Sequence, residues 1–198
     1  KLLTGEYPFN EIYLHGICRD KNGIKMSKSL GNGIDPLDII DKYGTDAMRF
    51  SLLTRTTNND MKIDEEDFLN ASRFINKIYQ SFRFIDMHLE KNNIALNPEK
   101  NGSFEDLLSN LKEEFKNSME KRDFLNITRK LQHSYKHDFC DKWIEENKKE
   151  IFNGNKKIIQ HGLYIILSYM NMFHCFIPFI SEYIFNHLSE EDIIFKNY

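Results

Sequence analysis

The sequence predicts a mainly α protein, in which a short α/β edge precedes an antiparallel helical bundle. Three observations carry this reading. Apolar triplets set off by His15-Gly16 and Asn22-Gly23 are confined to residues 12–26, where they read as strands. From Phe68 to Ile184 apolar side chains instead recur at helical spacing. The connections between those helical stretches are short enough for antiparallel neighbours. With 198 residues, 40% of them hydrophobic, the chain can bury one large core or two modest ones.

Taken in order, Ile12-Tyr13-Leu14 is an apolar run that predicts a buried strand ending at Gly16. Ile17-Cys18-Arg19 and Ile24-Lys25-Met26 flank Asp20-Lys21-Asn22-Gly23, a strong hairpin signal. Asp35-Pro36-Leu37-Asp38 reads as a helix start, with Asp35 as cap, and Gly44 as its stop. Thr45 is expected to cap a second helix, which ends in the polar run 55–60. Met61-Lys62-Ile63 fits a small strand, and Asp64 to Asp67 an acidic first turn. A long helix follows through Leu89 to Asn92-Asn93. Beyond a linker with Pro98 and Gly102, further helices carry Leu107 to Phe115, and Phe124 to Tyr135 continuing or bending into Phe139, Trp143 and Ile144. Gly154 closes that stretch, and the Leu163 to Phe173 helix must kink or stop by Pro178, where a last one begins. About five helices make the bundle.

Composition narrows the function classes. No run reaches the length of a membrane span, and residues 1–5 are not a signal peptide, so a soluble, cytoplasmic protein is expected. Cys18, Cys140 and Cys175 form no Cys-x-x-Cys pair, which fits a reducing compartment. The sequons at Asn70, Asn101 and Asn126 are read as accidental. A net charge of −3 excludes a globally basic nucleic-acid binder but not a local basic patch. The chain opens on Lys1 just before a strand-like run, as a piece of a longer protein would.

Five residues stand out as candidate chemistry: Lys25, Met26, Ser27, Lys28 and Ser29, between Gly23 and Gly31-Asn32-Gly33. Two lysines three apart with interleaved hydroxyls, on a glycine-flanked loop, suit a polyphosphate. Against this stands an ordinary solvated basic turn. His133, His137 and Cys140 have helical spacing for zinc, but a closed site needs four ligands and no second pair matches, so no metal is assigned. Cys18 reads as a small apolar residue rather than a reactive thiol. The lysines and arginines from Lys112 to Lys157 alternate with glutamates, as on a salt-bridged face, and an RNA-contacting face stays open.

With its flanks, Lys25-Met26-Ser27-Lys28-Ser29 resembles the KMSKS signature of the class I aminoacyl-tRNA synthetases. Tyr13-Leu14-His15-Gly16, Ile34-Asp35-Pro36-Leu37-Asp38 and Tyr43-Gly44-Thr45-Asp46-Ala47-Met48-Arg49-Phe50 are similar to the valyl branch of that family. So are Phe74-Ile75-Asn76-Lys77-Ile78-Tyr79 and Asp138-Phe139-Cys140-Asp141 with Trp143-Ile144-Glu145. Lys142 and Cys175 depart from its pattern.

The resemblance implies the C-terminal edge of a Rossmann-like catalytic domain over 1–34, linking helices of stem-contact type over 35–66 and an anticodon-binding helical domain over 67–198. It implies ATP-dependent activation of valine and transfer to tRNA(Val), with Lys25 and Lys28 catalytic, residues 25–29 binding ATP, Mg2+ on its phosphates and a monomeric enzyme. The residues that bind tRNA are not assigned. The His-Ile-Gly-His signature and the editing insertion are missing from the sequence, so this piece is expected to be inactive alone. An isoleucyl or leucyl enzyme, or a non-catalytic RNA-binding helical module, are the alternatives.

Overall fold

The computed structural model of the chain describes residues 5, 9, 11–55, 60–100, 102 and 104–189. The expectations for residues 1–4, for the loop over 56–59 and for the sequon atoms of Asn101 and Ser103 lie outside the described residues.

Local chemistry builds the N-terminal layer. Asp20 Oδ1 accepts the amides of Asn22 and Ile24 at 3.0 and 2.9 Å, and Gly23 supplies a φ of +82°. That turn closes the expected hairpin, in which Arg19 and Lys25 bridge in antiparallel sense. Its first arm, β1 (Cys18–Arg19), pairs in parallel with β2 (Met61–Lys62), Cys18 facing Met61 and Arg19 facing Lys62. The strand expected at Ile12-Tyr13-Leu14 does not form. These residues are irregular, Ile12 and Leu14 being 77% and 76% exposed, because no strand among the described residues offers them a ladder or a covering face.

Helix α1 (Pro36–Tyr43) starts as expected, with Asp35 accepting the Leu37 amide at 2.9 Å and Gly44 ending it at φ +90°. Helix α2 (Thr45–Leu53) departs by one residue: Gly44 is its N-cap, and Thr45 is already helical. A glycine that serves both as C-cap and N-cap leaves no room for a separate threonine cap. Helix α3 (Glu65–Lys91) opens on a capping box between Asp64 and Asp67.

The helical body comprises α3, α4 (Phe104–Glu120), α5 (Phe124–Ser134), a π-helical segment (Tyr135–Ile144), α6 (Glu145–Phe152), α7 (Lys156–Phe173) and α8 (Pro178–Ser189). The stretch read as continuing or bending past Tyr135 runs on as one rod through the π turns. Its buried positions there, Tyr135, Phe139 and Cys140, then Trp143 and Ile144, recur every four to five residues, which suits i→i+5 bonding better than an α-helical repeat. Helix α7 stops at Phe173, and Pro178 opens α8, where its missing N–H costs nothing.

Two apolar clusters result. The larger is centred on an aromatic knot in which Phe74 of α3 packs on Phe50 of α2, Phe173 of α7 and Tyr135 at 5.1, 5.6 and 6.1 Å. The smaller joins Ile39, Met61, Ile63 and Phe68, with Cys18, Met26, Ile34 and Met48 packed on it. No described helix is long and apolar enough to cross a membrane.

His161 gives the body a predicted pH response. It is buried edge-on to Trp143 at 5.5 Å, its Nε2 has no partner, and burial lowers its pKa from 6.5 to about 4. The neutral imidazole is thus favoured in the folded state. Its contribution is fully present above pH 6.5 and is lost as the pH falls towards 4, by up to about 3 kcal/mol. Urea unfolding at pH 7 and pH 4.5 should show this loss in the parent chain, and His161→Leu should flatten it.

Candidate phosphate-binding loop

Residues 25–29 leave the far arm of the hairpin and turn back through Gly31, at φ +62°. Asn32 holds the turn from inside. Its Oδ1 accepts the Ser27 amide at 2.9 Å, and its Nδ2 donates to Asp20 Oδ2 at 3.0 Å and to the Lys25 carbonyl at 3.3 Å. The hydrogen bond from Asn32 is also the main reason the Asp20 carboxyl is held below its ordinary pKa. Ser27 Oγ accepts the Leu30 amide at 3.3 Å and lies 3.2 Å from Ser29 Oγ.

The side chains divide by chemistry. Met26 turns inward onto the smaller apolar cluster. A pocket of about 360 Å³ lies there, lined by Met26, Ser27, Lys28, Ile34, Met48 and Phe68 among others. Lys25, Lys28 and Ser29 are exposed. Neither lysine has a carboxylate partner among the described residues, whereas Lys42, Lys77 and Lys148 all do. A loop fixed at its base, with two unneutralised ammonium groups and two hydroxyls at its rim, can receive an anion with several oxygens. It offers no carboxylate to a divalent metal, so its own atoms suit phosphate and not the ion that accompanies it.

Cys18 is half-buried against the same cluster, as a small apolar residue. His133, His137 and Cys140 do not converge. The two rings meet at a tilt of 52° with centres 4.5 Å apart and His137 pairs with Asp141 at 3.0 Å, while Cys140 is buried, its thiol pushed up to about 11 by that burial.

Two groups escaped the sequence reading as individuals. Asn32 and Asp20 were visible only as turn formers, since a bond between residues twelve apart leaves no local pattern. Asn32→Ala should free the loop base. Hydrogen exchange of the Ser27 amide is expected to quicken roughly tenfold, the equivalent of one lost hydrogen bond, with the Ile24 amide, held by Asp20, changing less.

Residues 2–64 match the family model described as tRNA synthetases class I (I, L, M and V), and residues 103–198 match the anticodon-binding domain of tRNA ligase. The chain is 39% identical to valine–tRNA ligase of Bacillus thuringiensis subsp. konkukian over 95% of its own length, and 36% identical to that of Borreliella burgdorferi over 98%. It spans 23% of the length of each. A crystal structure of an Agrobacterium radiobacter LeuRS in a ternary complex with tRNA and LeuAMS shares its fold, with a TM-score of 0.69 and 22% identity over 94% of this chain and 23% of that one. The chain is therefore homologous to part of the valine–tRNA ligases, with a class I tRNA synthetase segment over residues 2–64 and an anticodon-binding domain over residues 103–198.

Proposed function

We propose that the chain is the part of a cytoplasmic, monomeric valine–tRNA ligase that supplies the ATP-phosphate loop and the body that docks tRNA(Val). The single observation that carries the loop's role is the pair of unneutralised lysines, Lys25 and Lys28, on a base pinned by Asn32 and Met26. In amino-acid activation the valine carboxylate attacks the α-phosphate of ATP and pyrophosphate leaves. The aminoacyl group then passes to the terminal ribose of tRNA. Charge that builds on the phosphates during attack is stabilised by prepositioned cations. Lys28, with Lys25, takes that role, Ser27 and Ser29 donate hydrogen bonds to phosphate oxygens, and Met26 anchors the loop. Mg2+ bound to ATP would share in neutralising the phosphates.

In this reading residues 1–34 belong to the edge of a Rossmann-like domain, 35–66 link it to the body, and 67–198 form an antiparallel helical anticodon-binding domain. The smaller apolar cluster, which spans Cys18 to Phe68, supports treating the loop and linking helices as one mechanical unit. Valine is favoured over isoleucine and leucine by the relatives that match along nearly the whole chain.

The test is amino-acid-dependent exchange of pyrophosphate into ATP by the full-length enzyme that carries this chain. Exchange with valine, and charging of tRNA(Val), are expected. Exchange with isoleucine or leucine but not valine would overturn the assignment. The isolated chain is expected to exchange none.

A further inference from the structure

Acidic residues outnumber basic ones in this chain, 30 to 27, yet two neighbouring helical stretches carry no carboxylate at all. One is Phe68 to Ile85 of α3, with Arg73, Lys77 and Arg83. The other is Phe124 to His137, along α5 and into the π segment, with Arg129, Lys130, His133, Lys136 and His137. In α4 and α6 the charges alternate, and some pair: Lys148 with Glu145 within α6, and Glu114 of α4 with Lys130, which it draws away from the second stretch.

The fold sets the two stretches side by side. Ser81 and Tyr135 share a hydrogen bond at 2.6 Å, and Lys136 Nζ lies 5.3 Å from the Phe74 ring centre. Lys77 reaches across to Asp141 at 2.8 Å, and His137 meets the same carboxylate at 3.0 Å. Arg73 stands one turn before Lys77 and donates to the neutral Asn70 at 3.4 Å, with no carboxylate partner among the described residues. Asp138 turns away onto Ser134, at 2.6 Å. One exposed carboxylate, Asp141, thus serves Lys77 and His137, with Lys136 close enough to feel its charge. Burial, and then the nearby Lys77, depress the pKa of Lys136, as expected of cations crowded without enough counter-charge.

We propose that this seam, formed by Arg73, Lys77, Lys136 and His137, is where the sugar–phosphate backbone of tRNA runs against the helical body. Closely set ammonium and guanidinium groups with few carboxylates match a line of phosphates, and counterion release would drive the contact. The inference rests on the reading of the chain as a tRNA-binding segment.

The test uses the chain itself and labelled tRNA(Val), with fluorescence anisotropy read between 50 and 300 mM KCl. The variant Arg73→Gln/Lys77→Gln/Lys136→Gln is compared with Lys148→Gln/Lys149→Gln/Lys156→Gln, which removes the same charge from α6 and the start of α7. The seam variant should bind at least about tenfold more weakly and lower the slope of log Kd on log salt by about two to three, close to one per phosphate contact. The control should stay within about twofold of the parent, and circular-dichroism melts check that both variants fold. Equal losses in both variants, or unchanged binding by the seam variant, would overturn the seam. Displacement of tRNA by polyglutamate at matched charge would assign it to an acidic protein instead and overturn it also. Failure of the parent chain to bind tRNA at all would overturn the underlying reading.

Discussion

Lys28→Ala in the full-length enzyme is expected to slow valine-dependent pyrophosphate exchange by about 10²–10³-fold, the loss typical when one donor to a developing oxyanion is removed. The effect should fall on kcat, with little change in KM for valine. Lys28 sits on the exposed rim of a loop that touches no part of the helical seam, so the affinity for tRNA(Val) should stay within about twofold. Lys28→Arg should recover part of the rate, since it keeps the charge but not the compact ammonium geometry. Because the residue is exposed and has no partner among the described residues, melting of the protein should not move, which separates a chemical role from a structural one.

Near neutral pH the largest stability effect is expected at Asp46. Its carboxylate is 6% exposed and accepts the amides of Phe179 and Ile180 at 3.2 and 2.7 Å, so that a residue of α2 caps α8 from across the fold. Three residues on, Arg49 donates to the carbonyls of Cys175 and Phe176 at 3.2 and 3.3 Å. Asp46→Ala would leave the α8 amides without an acceptor and should cost about 2–3 kcal/mol, or a fall of roughly 5–10 °C in Tm for a chain of this size. Burial, partly offset by the two amides and Arg49, raises the pKa of Asp46. The contribution of that raised pKa is therefore fully present below the ordinary carboxyl range and is lost as the pH rises through the folded value. Asp46→Asn needs no ionisation and keeps one acceptor, so it should cost only about 1 kcal/mol near neutral pH. Equal destabilisation by the two substitutions would contradict the capping role.

Asp46 and Arg49 also show what the chain discloses before it folds. The run from Tyr43 to Phe50 was recognisable as a motif, and its helix start was read to within one residue. Its purpose was not, because the partners of Asp46 lie at positions 179 and 180, beyond the reach of local pattern. Hairpin, caps and the long amphipathic helix were legible because each depends on neighbours: Asn22-Gly23, Asp35 before Pro36, Asp64 with Asp67. The run Ile12-Tyr13-Leu14 misled because an apolar triplet specifies a buried strand only where a sheet receives it. The π segment was visible only as an ambiguity, since a helical template at 3.6 residues tolerates the wider spacing of Tyr135, Phe139 and Trp143 without revealing it. The loop itself was legible as a pattern of five residues. The hand that holds it, Asn32 on Asp20, required coordinates.

The most direct test of the loop's role is protection of individual lysines by nucleotide. The full-length enzyme would be treated with a limiting lysine acylating reagent, with and without ATP and Mg2+, and the modification at each lysine read by mass spectrometry. ATP is predicted to slow labelling of Lys25 and Lys28 at least about fivefold while leaving Lys148 and Lys149 unchanged. Labelling of Lys25 and Lys28 at the same rate with and without saturating ATP would contradict the assignment of the loop to the phosphates.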